Sequence, residues 1–221
     1  MKLVDAAVLQ EAISFCAECE FLGPTVAVHE QPKFELVENP FRALTRIITF
    51  QQLSGKAAET IFGRFAALVG VDEAMQPADV LKFDVEALRG VGLSYQKAGY
   101  ILNIASRFDE MGLDSERVHQ MDFEEVREVL LPIKGVGEWT VEMFSMFYLC
   151  HPDVFSTGDL GLQKAIQPMM GVEKVRAKEM MEFGERWRPW RTVACYYLWR
   201  SLEDPTVNRG PRSSDQKKDI I

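Results

Sequence analysis

Leu131-Pro132-Ile133-Lys134-Gly135-Val136-Gly137-Glu138-Trp139-Thr140-Val141-Glu142-Met143-Phe144-Ser145-Met146-Phe147-Tyr148-Leu149 is the stretch around which this chain of 221 residues is arranged. Leading into it, Asp122 to Leu131 reads as a short helix with an acidic face, placing Phe123, Val126, Leu130 and Leu131 on one stripe. Pro132 stops that helix. Gly135 and Gly137 then allow a hairpin whose backbone takes positive φ or comes close to a ligand, because neither carries a Cβ. From about Glu138 a second helix follows, in which Trp139, Met143, Met146, Phe147 and Cys150 recur at spacings of three and four. The spacing therefore predicts helix, Gly-Val-Gly hairpin, helix.

Such a hairpin has a chemical use. The free N–H groups at the start of the second helix and the glycine amides can converge on an anion, which a phosphodiester satisfies. Lys134 adds a positive charge at the same place. The other reading of Gly-x-Gly alone is a tight turn joining two core helices.

Beyond the second helix comes Pro152-Asp153-Val154-Phe155-Ser156-Thr157-Gly158-Asp159-Leu160-Gly161. Together with Leu-Pro-x-x-Gly-x-Gly, this stretch resembles the helix-hairpin-helix superfamily of DNA glycosylases, and most closely its 3-methyladenine DNA glycosylase II (alkylated-base) branch. The resemblance continues through Gln51-Gln52-Leu53-Ser54, Lys56-Ala57-Ala58, Gly92-Leu93-Ser94, Lys97-Ala98 and Trp187-Arg188-Pro189-Trp190-Arg191, covering roughly residues 40 to 202. It implies an all-α, two-lobed fold: a central helical lobe over 39–151, a second lobe from 1–38 with 152–205, and a tail over 206–221. The β domain that larger members carry at the N-terminus has no counterpart in this reading. A cleft between the lobes would hold a base flipped out of duplex DNA.

By the same resemblance Asp159 matches the catalytic aspartate. Cleaving an N-glycosidic bond develops positive charge on the sugar, and a fixed carboxylate stabilises it or orients the attacking water. Asp159 also reads as a helix N-cap before Gln163-Lys164-Ala165-Ile166, and the two roles are compatible. Members that also nick DNA have a lysine where this chain has Trp139, which implies monofunctional excision without lyase activity. Trp139, Met143 and Trp199 are candidates for the base pocket, since an electron-deficient methylated purine is attracted to an aromatic face. Lys134, Gly135, Val136 and Gly137 are the candidate backbone-binding residues. Gln52 or Leu53 is the candidate wedge inserted into the base stack, with Gln52 preferred because its amide can pair with the orphaned base. The expected substrates are 3-methyladenine and 7-methylguanine in double-stranded DNA. Deaminated or etheno bases, or a hairpin module that binds DNA without excising anything, are the alternatives.

Four cysteines, Cys16, Cys19, Cys150 and Cys195, form no disulfide framework, and reduced thiols are expected. Cys16-x-x-Cys19 lacks a second Cys/His pair at zinc spacing, so no metal site is expected. Related enzymes with an iron-sulfur cluster hold it with four clustered cysteines near the C-terminus, where only Cys195 lies here. No cofactor is expected beyond a structural monovalent cation on the hairpin carbonyls, as in family members.

The formal net charge of -8 runs against a nucleic-acid partner. The acids cluster, however, between the two Gly-Val-Gly segments, from Asp109 to Glu128. Lys134, Lys164, Arg186, Arg188 and Arg191 fall on or after the hairpin, which leaves room for a locally basic face. No apolar run is long enough to cross a membrane, and no secretory leader is read at the N-terminus, so an intracellular monomer is expected.

The remaining expectations are local. Residues 5–20 read as a helix with Ala6, Leu9, Ile13 and Cys16 on one stripe, and 21–40 as an extended connection. From Phe41 to Val69 two helices break near Ser54-Gly55, with Ser54 as the N-cap. Arg89-Gly90-Val91-Gly92 echoes the main hairpin and is read as structural, with Ser94 capping the next helix. His29, His119 and His151 receive no role.

Overall fold

Short polar side chains start most of the helices. Asp5, Asn39, Asp84, Ser94, Asp114, Asp122 and Asp159 each accept a backbone N–H from the first turn of the helix that follows. Several of the acids that make the chain anionic are thus used locally, at the positive ends of helices.

The computed structural model describes residues 1–53, 55–70 and 73–203. Ser54 and the tail over 206–221 lie outside the described residues. All regular structure among the described residues is helical. In order the helices are α1 (Ala6–Glu18), α2 (Gly23–Val28), α3 (Pro40–Phe50), α4 (Gly55–Val69), α5 (Pro77–Val80), α6 (Val85–Gly90) and α7 (Tyr95–Met111). There follow α8 (Ser115–Gln120), α9 (Phe123–Leu130), α10 (Glu138–Phe147), α11 (Leu160–Met170), α12 (Ala177–Gly184) and α13 (Arg191–Ser201), with a 3-10 turn over Glu185–Trp187. No described helix is long and apolar enough to cross a membrane.

The chain divides into two compact units, Glu35–Leu149 and Met1–Phe34 with Cys150–Ile221. Backbone pairing shows why the boundaries fall there: Val37 N donates to Tyr148 O within the first, and Leu3 N donates to Cys150 O within the second.

In the unit over 35–149, α7 packs on α3, α5 and α6, and α3 also packs on α4 and α10. Phe41, Leu44, Ile48, Phe65, Ile101, Phe108 and Phe144 fill its core. In the other unit α13 is central, packing on α1, α2 and α11. Trp187 is fully buried there, edge-on to Phe183, and donates through Nε1 to Cys19 Sγ at 3.4 Å. Burial and the neighbouring Cys19 push the Cys16 thiol up to about 12, which leaves it protonated and unreactive at neutral pH.

Two local expectations need correction. The extended connection over 21–40 is interrupted by α2, because Pro24 lies in the first helical turn, where the missing N–H would have had no intrahelical acceptor. On α1 the buried residues are Ala12, Ile13 and Cys16, while Ala6 is exposed.

The end of α3 is held by a lysine. Lys97 Nζ donates to Thr49 O at 2.7 Å and Gln51 O at 2.6 Å, satisfying carbonyls that the helix end leaves open. Its partial burial holds the Lys97 pKa below the usual lysine value. Lys97→Met removes both donors and should lower stability by about 2 kcal/mol, measured by thermal or urea unfolding.

Candidate functional site

The hairpin owes its shape to its glycines in two different ways. Ile133 O accepts from Val136 N at 3.0 Å, closing a turn that needs φ +107° at Gly135. A Cβ at Gly135 would also lie 2.1 Å from Tyr100 Cγ, so the ring of α7 packs directly on the hairpin backbone. Gly137 is the N-cap of α10 with φ -108°, exposed, and a Cβ there would meet nothing within 4 Å. Positive φ is therefore required at Gly135 only, and open space for an approaching ligand lies at Gly137. Lys134 is exposed, and its carbonyl accepts from Asn103 Nδ2 at 3.1 Å. Val136 is buried, and its N–H is taken up by Ile133 O, so the candidate contacts narrow to Lys134 and Gly137.

Electrostatics around the hairpin are balanced by one arginine. Glu138, the acid in the first turn of α10, is held by Arg127 through Nε at 3.1 Å and Nη2 at 2.8 Å. Glu124 shares the same guanidinium, and the two carboxylates, Glu138 foremost, raise the Arg127 pKa further. A carboxylate that would repel a phosphate at the helix N-terminus is thereby neutralised in place.

In the same unit, Trp139 and Met143 line a cavity of about 230 Å³ together with Arg46, Ile47, Phe50 and Phe147. The Arg46 guanidinium lies 4.0 Å from the Phe50 ring centroid and pairs with Glu59. Gln51 Nε2 donates to Thr140 Oγ1 at 3.0 Å, tying the end of α3 to the first turn of α10. Gln52 and Leu53 follow on an exposed turn, with Gln52 at φ +57°. That left-handed conformation is uncommon for a residue with a Cβ, and the Lys97 bonds just before it keep the turn in place.

The other unit carries Asp159. Its Oδ1 accepts from Leu162 N at 2.8 Å, capping α11, and from Trp199 Nε1 at 2.8 Å. The loop leading to it is fastened to the start of α13. Thr192 N donates to Pro152 O at 3.0 Å, while Thr192 Oγ1 donates to His151 O at 2.6 Å and accepts from Val154 N at 3.1 Å. Arg191 reaches Asp153 through Nε at 2.6 Å and Nη2 at 3.1 Å. Only 6 % exposed, Arg191 is withdrawn from any phosphate, and Arg188 is held by Asp153 and Glu185. The basic face read from the sequence loses Arg191 for this reason, whereas Lys164 and Arg186 are exposed.

A family model described as "HhH-GPD superfamily base excision DNA repair protein" matches residues 45–189, more than half of the chain. The chain belongs to the HhH-GPD superfamily. It is 31% identical over 166 residues to DNA-3-methyladenine glycosylase 1 of Schizosaccharomyces pombe, covering 74% of this chain and 73% of that protein. Among solved structures, DNA-3-methyladenine glycosidase from Bacillus halodurans is similar with a TM-score of 0.76 at 32% identity, covering 95% of this chain and 94% of that one. The Schizosaccharomyces pombe 3-methyladenine DNA glycosylase in complex with abasic DNA gives a TM-score of 0.76 at 28% identity, with 87% and 97% covered.

Within the HhH-GPD frame, the sequence candidates separate. Trp139 and Met143 share a cavity, while Trp199, grouped with them from the sequence, is bonded to Asp159 in the other unit. Lys97, Arg127, Thr192 and Gly161 were missed, and each acts through a partner too distant in sequence, or too dependent on rotamer, to leave a pattern. For Gly135→Ala, the strained φ and the Tyr100 overlap predict a stability loss of about 3 kcal/mol or more, whereas Gly137→Ala should change it by about 1 kcal/mol or less, both read by urea unfolding.

Proposed function

We propose that this chain is a monofunctional DNA glycosylase that removes alkylated purines, 3-methyladenine and 7-methylguanine, from duplex DNA. The observation that carries the reading is the Asp159 carboxylate, fixed by Leu162 N and Trp199 Nε1 in a chain of a base excision repair superfamily. The named relatives, 3-methyladenine glycosylases, support the substrate class.

In this mechanism the hairpin grips the phosphodiester backbone through the Gly137 amide, the first turn of α10 and Lys134, without reading sequence. Gln52 or Leu53 fills the space left in the stack as the damaged nucleotide turns outward. As the bond from C1′ to the base lengthens, positive charge grows on the sugar and the anionic Asp159 stabilises it. Water adds to C1′, its hydroxyl remaining on the sugar and its proton passing to solvent. The bond electrons leave with a base that is already cationic and becomes neutral, so no strong general acid is required. An aromatic surface of Trp139, with Met143 beside it, suits such a base. With Trp139 in place of an amine, no Schiff base forms and the product is an intact abasic site.

Arg46 favours a second reading. A guanidinium beside the cavity of Trp139 opposes a cationic base to the extent that Glu59 leaves its charge uncompensated, and it can donate to the oxygen of a neutral deaminated base. Relative rates on 7-methylguanine and hypoxanthine duplexes decide between the two.

A duplex with one 7-methylguanine, incubated with the protein and then with alkali, should break only after alkali. Breaks without alkali contradict the monofunctional assignment. Asp159→Asn should slow single-turnover release by about a hundredfold or more while duplex affinity stays close to wild type. Lys134→Ala should weaken binding to all sequences alike and reduce the salt dependence of log Kd by about one unit or less.

A further inference from the structure

The geometry points to Trp199 and Gly161 as a pair of positioning residues for the Asp159 carboxylate: the missing side chain at 161 admits the indole edge, whose N–H then orients Oδ1. This inference rests on the catalytic reading of Asp159 and gives Trp199 a task other than stacking on the base.

The contact is unusually exposed to a single methyl group. A Cβ at Gly161 would stand 2.9 Å from Trp199 Cδ1, 3.0 Å from Trp199 Nε1 and 3.0 Å from Asp159 Oδ1. It would sit against the line of the 2.8 Å hydrogen bond and touch both of its ends. The indole is rigid, α11 and α13 pack on one another, and the Leu162 cap fixes the other approach to Oδ1. Relief therefore comes from withdrawing the indole, which removes the donor, or from rotating the carboxylate, which changes its direction. Either change leaves the two reacting groups chemically intact but misplaced. Gly161 also lies in the first turn of α11, where alanine is the better helix former, so a loss on substitution is not the result of a weaker helix.

Trp199→Phe keeps an aromatic face and lacks the N–H, while Gly161→Ala keeps the N–H and obstructs it. Single-turnover release from a 7-methylguanine duplex should slow roughly ten- to a hundredfold in each variant. Affinity for a duplex carrying a tetrahydrofuran abasic analogue should stay within about threefold of wild type, and Gly161→Ala should remain folded at the assay temperature. The double variant should be no slower than the slower single variant within about twofold, because both remove one interaction. Wild-type rates in Trp199→Phe and Gly161→Ala, with Asp159→Asn inactive, overturn the positioning role and leave the glycosylase reading standing. Losses that multiply in the double variant, or that appear wholly as weaker binding, also overturn it. A wild-type protein inert on a panel of single-lesion duplexes overturns the functional reading and this inference with it. Should either variant fail to fold, the other carries the same prediction alone.

Discussion

Asp159 Oδ1 accepts one hydrogen bond from the backbone of its own helix and one from an indole forty positions later in the chain. A carboxylate held on two sides keeps its direction when a ligand arrives, which is what electrostatic stabilisation of a developing cation needs. Much of the unit over 1–34 and 150–203 serves that arrangement. The loop over 151–155 is tied to Arg191 and Thr192 at the head of α13, so the segment leading to Asp159 and the helix carrying Trp199 are fixed to each other at that end. Downstream, the same rigidity relies on close approach: a Cβ at Gly184 would lie 2.6 Å from Phe155 Cε1, and the Phe155 ring packs on Trp187.

On the proposed reading the unit over 35–149 meets a different problem, presenting donors to a phosphate from an acidic chain. Acids are placed as helix caps, or paired, as Glu138 and Glu124 are with Arg127, so their charge is met locally. What remains at the hairpin is Lys134, the exposed Gly137 backbone and the start of α10. On the proposed reading, affinity built from amides and one lysine would be modest, in keeping with an enzyme that searches long stretches of undamaged duplex before it finds a lesion.

Short-range features were readable from the residues alone. The break at Pro132, the Gly-Val-Gly hairpin, the start of α10 at Glu138 and the caps at Ser94 and Asp159 depend on neighbours within four positions. The segment over 21–40 was read as extended, although Pro24 lies in the first turn of α2 and Pro40 opens α3, positions that accept proline readily. Gly135 was correctly read as needing freedom, but its close neighbour is Tyr100 rather than a ligand. Contacts spanning distant positions left no trace in the pattern. Lys97 looked like part of a motif and is a clamp on α3, Arg191 looked like a surface cation and is buried on Asp153, and Trp199, read as a pocket aromatic, donates to Asp159. In each case a side chain's partner is set by tertiary packing, which periodicity does not encode.

The role proposed for Asp159 is that of a fixed anion that answers charge appearing on the sugar. Its most direct measure is the affinity for two duplexes that differ only in the abasic unit, one with a neutral tetrahydrofuran ring and one with a pyrrolidine ring protonated at nitrogen. The account predicts tighter binding of the cationic ring by the wild-type protein and loss of that preference in Asp159→Asn, with the neutral ring bound equally by both. Equal affinity for the two rings in the wild-type protein, or a preference that survives the substitution, would contradict it.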